Sequence, residues 1–253
     1  MNGCDVIVTV YNKIDLTMNC LRSVMRNIRQ DDRVIIIDNG SDEQTHRFLE
    51  SFSAGYSGVR METVRLPVNV GYLRAANEGL RRSTKDVACL LSNDTVVTKG
   101  WIERMCSLMD RYPAIGIVNP MSTTFGLYPA RGENAEDCAA KIAHLRGQYT
   151  EASSCVGFCM AIRRKVIESI GYLDEVYDSG YFEDTDFCRR AVDPVLSAPS
   201  PVTRMYGTPS TRRSAQRSGK NFLTGTAPYS NGAGAGRAGA FMWLQARAVT
   251  AAG

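Results

Sequence analysis

Histidine is the scarcest chemistry-bearing residue in this chain of 253 residues, with only His46 and His144 present. Both are expected as surface or loop residues rather than metal ligands. No run of 18 consecutive apolar residues occurs, so no membrane-spanning helix is expected. Met1 to Val10 lacks a basic segment followed by a long apolar one, so it is expected to be a strand and not a signal peptide. None of the eight cysteines forms a C-x-x-C pair, and Cys155 and Cys159 have neither a partner pair nor a nearby histidine, which argues against zinc. Cys4, Cys20 and Cys89 sit among apolar residues and read as small buried hydrophobes. Reduced thiols and a cytoplasmic location follow as expectations. A G-x-G-x-x-G after the first strand is missing, which disfavours a classical dinucleotide site. A G-x-x-x-x-G-K-[ST] is missing too, which excludes a P-loop enzyme.

What is present divides at about residue 191. The net charge of +4 comes from residues 192–253, which hold seven Lys or Arg and one acid, Asp193. Residues 1–191 hold 23 basic and 25 acidic residues, so nucleic-acid binding by the main body is not indicated. Ala, Gly, Ser and Pro fill 30 of the last 62 positions, and no helical or two-residue period persists there. Such a composition buries too little apolar surface to offset chain entropy, so disorder is expected.

The main body alternates strand and helix patterns. Residues 4–10, Arg33 to Asp38, Val59 to Leu66, Asp86 to Ser92 and Ile115 to Val118 read as strands, the first two as buried parallel ones. Between them lie helical patterns: one capped by Asp15 with Leu16, Cys20, Leu21, Val24 and Ile28 inward, one from Ser41 to about Ser53, one from Leu73 to Arg82 and one from Thr98 to Tyr112. A looser region, 119–150, precedes a strand at 157–163 and a short helix at 165–170. The class is α/β, with a mostly parallel sheet covered on both faces.

In such sheets ligands bind at the carboxyl ends of the strands. Polar residues gather at those ends: Tyr11-Asn12, Asp38-Asn39-Gly40-Ser41 and Asn93-Asp94-Thr95. Each alone is compatible with turn chemistry; three on one rim are harder to assign to packing. Asn69 to Arg74 leads into a helix N-terminus, where unpaired N–H groups favour an anion. Asp94 can hold a divalent metal that bridges phosphates. Tyr181-Phe-Glu-Asp-Thr-Asp186 places three carboxylates within four positions. That suits either a solvated helix start or a site in need of a base. The inference from these residues is a metal-assisted phosphate or nucleotide-sugar site, with Glu183-Asp184 acting on the acceptor.

Val6-Ile-Val-Thr-Val-Tyr-Asn12, Ile36-Ile-Asp-Asn-Gly-Ser-Asp42, Asn69-Val-Gly71 with Ala76-Asn-Glu-Gly79, Leu91-Ser-Asn-Asp-Thr95 and Tyr181 to Asp186 resemble the ordered motifs of family 2 glycosyltransferases of the GT-A fold. The similarity is greatest to bacterial rhamnosyltransferase-like members that build surface polysaccharide, and it covers residues 4–191. The resemblance implies that Thr9, Tyr11 and Asp38 hold the base and ribose, with Asn12 beside them. It implies that Gly71, Arg74 and Asn77 line the donor pocket. Asn93-Asp94 is implied as the remnant of a D-x-D element, with Asp94 binding Mg²⁺ or Mn²⁺. Asp184 is implied as the general base, oriented by Glu183 or Asp186, in a single displacement with inversion. The donor is a nucleotide-diphosphate sugar and the acceptor a glycan or lipid-linked glycan, so contact with the inner face of the plasma membrane is left open.

Two departures qualify the resemblance. Ser92 takes the first position of the D-x-D element. Pro194 stops the helix begun at Arg189-Arg190-Ala191, and no histidine follows to complete a metal site. Residues from about Val192 are therefore expected to be out of register with the ancestral reading frame or to replace the native C-terminus. The expected division is a nucleotide-sugar-binding half at 1–118, an acceptor half at 119–191 and a tail at 192–253. A catalytically impaired nucleotide-binding protein and a sugar nucleotidyltransferase are the competing readings. The latter usually carries a Gly-rich basic loop that Tyr11-Asn-Lys-Ile-Asp15 does not supply.

Overall fold

The computed structural model describes residues 3–56, 60–122, 130, 132–150, 152, 154–177 and 182–192, together with the backbone of 204–209 and 211–212. The β-branched runs at the start of the chain form β1 (Cys4–Val10) and β2 (Arg33–Asp38), joined by α1 (Ile14–Asn27). Then follow α2 (Glu43–Gly55), β3 (Arg60–Arg65), α3 (Tyr72–Arg82), β4 (Val87–Ser92), β5 (Thr95–Val96), α4 (Trp101–Arg111) and β6 (Ile115–Met121). The chain continues through α5 (Ala135–Lys141), β7 (Cys159–Arg163), α6 (Arg164–Ile170), α7 (Glu183–Val192), β8 (Arg204–Pro209) and β9 (Thr211–Arg212). Seven strands form one sheet in the order β3-β2-β1-β4-β7-β6-β8, and β5 pairs with β9 separately. β7 runs antiparallel to both its neighbours, while the other pairings of the large sheet are parallel.

Side-chain alternation along the strands divides the core in two. Val6, Val8, Val34, Ile36, Cys89 and Leu91 face α1, α2 and α4. Ile7, Ile35, Ile37, Ala88 and Leu90 face α3, α6 and α7. Burial on both faces explains why β1 and β2 read as continuous apolar runs. All eight cysteines are buried and free. Among the described residues no helix is long and apolar enough to cross a membrane.

Gly79 sets how closely α3 lies on the sheet. A Cβ at this position would stand 2.2 Å from Ile7 Cγ2. Glycine is normally poor inside a helix, but here the missing side chain is what admits the strand. Gly79→Val is expected to cost about 1–3 kcal/mol, read as a lowered urea midpoint at unchanged slope.

Several local expectations are corrected. Asp15 does not cap α1; Lys13 occupies the N-cap in a left-handed conformation (φ 57°) and Asp15 lies in the first turn. Asp42 does cap α2, accepting from Thr45 N at 2.8 Å. His46 is no ordinary surface residue, since its Nδ1 lies 3.2 Å from buried Asp38. The expected halves 1–118 and 119–191 contribute strands to one sheet, in which β7 lies between β4 and β6. The tail was expected to lack order, yet Arg204–Pro209 pair in parallel with β6, Val118 opposite Tyr206. The rest of the tail, and with it the question of reading frame, lies outside the described residues.

Candidate functional site at the carboxyl ends of the strands

The chain winds to one side through β1, β2 and β3 and returns to place β4 on the other side of β1. Helices on opposite faces diverge at such a reversal and leave a crevice beyond the strand ends. A cleft of about 260 Å³ opens there, lined by Thr9, Tyr11, Asn39, Asn69, Gly71, Tyr72, Ser92 and Asn93. Four residues expected at the site are thus together in it: Thr9, Tyr11, Gly71 and Asn93. Tyr11 is half exposed, a ring free to meet a ligand.

Hydrogen bonds between loops hold the rim. Asn12, left-handed at φ 54°, donates its N–H to Ser41 Oγ (3.0 Å) and accepts from Asp42 N (2.7 Å). Asp38 is fully buried; it accepts from Ser41 N at 2.9 Å and from Arg65 Nη1 at 2.8 Å. Asn39 accepts from Val70 N (2.9 Å) and donates to Asn69 Oδ1 (3.0 Å) and Gly71 O (3.2 Å). Gly40, at φ 68°, passes so near this loop that a Cβ would lie 2.4 Å from the Val68 carbonyl carbon. Asp38 and Asn12 are therefore framework beneath the cleft rather than part of its lining. Gly71 begins α3 with no side-chain cap, which leaves the helix N-terminus toward the cleft suited to an anion.

Two expected pocket residues serve elsewhere. Asn77 is buried and brackets the Leu173 backbone, donating to its O (2.9 Å) and accepting from its N (3.0 Å). Arg74 pairs with Glu175 at 3.3 Å. Asn77, followed by Arg81 and Arg74, holds the Glu175 carboxyl below its ordinary range. Both residues thus clamp α3 to the 173–175 turn and are not among the residues lining the cleft, because positions three apart on one helix share a face.

The acidic stretch reaches the cleft through two residues that sequence reasoning gave no role. Tyr72 donates its hydroxyl to Gly157 O at 3.3 Å, and Gly157 N donates to Asp184 Oδ2 at 3.1 Å. Asp184 Oδ1 accepts from Thr185 N at 2.7 Å. Asp186 turns away to Arg190 (2.8 Å), which also ties α7 to Ile170 O and Tyr172 O. Glu183 is 8% exposed, and among the described residues its buried Oε2 has no hydrogen-bond partner. Burial first, and then the Asp184 charge, push its carboxyl above the usual range. Tyr72 lay within a quoted motif, but Gly157 acts through a backbone N–H, which leaves no mark in a residue pattern.

The raised Glu183 pKa has a consequence for stability. A carboxyl whose folded pKa exceeds its unfolded value stabilises the fold below the unfolded pKa, and that contribution is lost as pH rises through the folded value. Glu183→Gln is therefore expected to raise the melting temperature more at pH 8 than at pH 4, as parallel thermal melts at the two pH values would read.

Asp94 stands in the turn between β4 and β5, next to cleft-lining Asn93. Asn93 donates to Thr17 Oγ1 at 2.8 Å, which fixes the turn against α1. Among the described residues no three His, Cys, Asp or Glu side chains gather to hold a metal. One carboxylate beside a cleft suited to an anion fits a divalent cation shared with a diphosphate; it does not form an all-protein cage.

Comparison with known proteins places this geometry. The model of Glycosyl transferase family 2 matches residues 5–171, a span that contains the cleft and stops before α7. The glycosyltransferase AglE of Haloferax volcanii is 24% identical over 192 residues, covering 74% of this chain and 60% of that protein. The poly-beta-1,6-N-acetyl-D-glucosamine synthase of Staphylococcus epidermidis is 23% identical over 181 residues, covering 69% of this chain and 42% of that protein. The chain thus spans 60% or less of the length of these two curated relatives. Among solved structures, the mannosyltransferase PcManGT of Pyrobaculum calidifontis, in complex with GDP-Man and Mn²⁺, superposes with a TM-score of 0.62 at 15% identity, over 85% of this chain and 58% of that one. GalNAc-T7 with UDP, GalNAc and Mn²⁺ gives a TM-score of 0.64 at 14% identity, over 89% of this chain and 46% of that one. These neighbours share the GT-A fold, and with the family model matching two thirds of its length, the chain belongs to glycosyl transferase family 2.

Proposed function

We propose that this chain is an inverting glycosyltransferase that moves a sugar from a nucleotide-diphosphate donor to a hydroxyl of a glycan or lipid-linked glycan. One observation carries the reading: the chain of contacts from cleft-lining Tyr72 through Gly157 to Asp184 sets a carboxylate next to a cleft suited to a diphosphate. Tyr11 and Thr9 face the base and ribose, over a floor held by Asp38. The N-terminus of α3 at Gly71 faces the diphosphate. Asp184 takes the proton of the acceptor hydroxyl as its oxygen bonds to the anomeric carbon and the bond from that carbon to the diphosphate breaks, so the configuration inverts. Asp94 would hold Mg²⁺ or Mn²⁺, which when bound neutralises charge on the departing diphosphate. The ligands in the structures of PcManGT (GDP-Man and Mn²⁺) and GalNAc-T7 (UDP, GalNAc and Mn²⁺) support this assignment.

The test is calorimetric titration of UDP, GDP and dTDP with and without Mn²⁺, on the unaltered chain and on Asp94→Ala. Mn²⁺-dependent binding of one nucleotide, weakened in the variant, is expected. Equal affinity with and without Mn²⁺ would remove Asp94 from the metal role, and absence of all binding would remove the donor site.

A further inference from the structure

Phe182 is the residue whose conformation the fold leaves unexplained. It is 68% exposed and takes a left-handed backbone conformation at φ 74°. A bulky side chain there carries roughly 1–3 kcal/mol of strain, whereas glycine would carry almost none. The core gains nothing in return, because the aromatic that α7 buries is Phe187, at 0% exposure. The same turn does begin the helix: Asp186 N donates to Phe182 O at 2.8 Å, which places Glu183 and Asp184 in the first turn. Glycine at this position could start the helix equally well, so the ring itself is what needs a reason.

We infer that Phe182 is a specificity-determining residue for the sugar acceptor: its ring is the platform on which the apolar face of the acceptor pyranose stacks as its hydroxyl reaches Asp184. The inference rests on the glycosyltransferase reading above. From the cleft the contacts run through Tyr72 and Gly157 to Asp184, and Phe182 stands two residues before Asp184 in the turn that begins α7. Phe182, Glu183 and Asp184 are not among the residues that line the cleft given to the donor, so the exposed ring beside the acid pair is assigned to the second substrate. A pyranose presents C–H groups on one face and hydroxyls at its edge. An exposed aromatic ring receives the first. Polar groups beside it fix the second, as in sugar-sized sites that combine aromatic walls with a few oriented hydrogen-bonding groups. Glu183 Oε2, buried in the same turn and without a hydrogen-bond partner among the described residues, is available to a sugar hydroxyl. A nucleic-acid acceptor would call for basic groups here, whereas Glu183, Asp184 and Asp186, which follow Phe182 in the chain, are carboxylates.

The experiment uses the full chain with UDP, GDP or dTDP, whichever binds in calorimetry, on an array of α- and β-linked mono- to trisaccharides. Phe182→Gly relieves the backbone strain, and a thermal melt of this variant separates loss of fold from loss of binding. Phe182→Gly and Phe182→Ala are expected to weaken glycan binding by about tenfold or more, a loss within reach of one aromatic contact. Phe182→Tyr is expected to stay near the starting value, and nucleotide affinity to change by less than about twofold in all three. Glycan binding retained in Phe182→Gly, or nucleotide binding with no glycan bound by the unaltered chain, overturns the inference while the donor reading stands. Absence of nucleotide binding overturns that reading and this inference with it.

Discussion

Asp184→Asn is expected to lower the rate of sugar transfer by about a thousandfold while leaving nucleoside diphosphate affinity within about twofold. The split follows from position. Asp184 accepts from Gly157 N at 3.1 Å and Thr185 N at 2.7 Å, one residue removed from cleft-lining Tyr72 and not itself in the lining. It can therefore act on the acceptor hydroxyl without holding the nucleotide. The amide also replaces one accepting oxygen with a donor, so either Gly157 N or Thr185 N loses its partner. That carries a stability cost of about 1–3 kcal/mol, which a thermal melt separates from the catalytic effect. Steady-state kinetics beside calorimetric titration checks the claim. A parallel loss of nucleotide affinity would make Asp184 a donor ligand or a structural residue instead.

Asp38→Ala is expected to destabilise the chain by about 2–3 kcal/mol and to abolish nucleotide binding without touching the ligand. Asp38 is fully buried and joins the Ser41 backbone, Arg65 and the vicinity of His46. Its removal leaves the buried Ser41 N–H unsatisfied and frees the β2–α2 turn. That turn holds Asn12 through Ser41, while Asn39, next in sequence, holds the 69–71 loop. For a chain of this size the loss corresponds to a fall in melting temperature of about 5–10 °C. Arg65→Ala provides the contrast. Its partner contact is at the half-exposed end of the pair, so a smaller fall is expected, and equal effects would contradict the framework role of Asp38.

The parts of this molecule that sequence showed well are those governed by short-range pattern. Val6 to Val8 and Val34 to Ile37 are β-branched on both faces, so the parallel strands and their sheet were legible. The helix start near Ser41 and the turn residues at 38–41 and 93–94 located the carboxyl ends, and the cleft was found where those ends meet. What was not legible depends on contacts distant in sequence. Arg74 and Asn77 look like pocket residues because they follow Gly71, but their partners lie at 173–175, about a hundred residues onward. Gly157 supplies Asp184 with a backbone N–H that any residue could offer. The strand at 204–209 pairs through its backbone with β6, so its composition, rich in turn formers, concealed it. Phe182 was seen as one aromatic beside acids; only its backbone conformation and exposure set it apart.

The most direct test of the central claim is turnover of a sugar-nucleotide panel by the full chain with Mn²⁺ and glycan acceptors, with the anomeric configuration of the product read by NMR. Release of nucleoside diphosphate with an inverted glycosidic linkage, lost in Asp184→Asn, is the predicted result. A product of retained configuration, or transfer undiminished in Asp184→Asn, would contradict it.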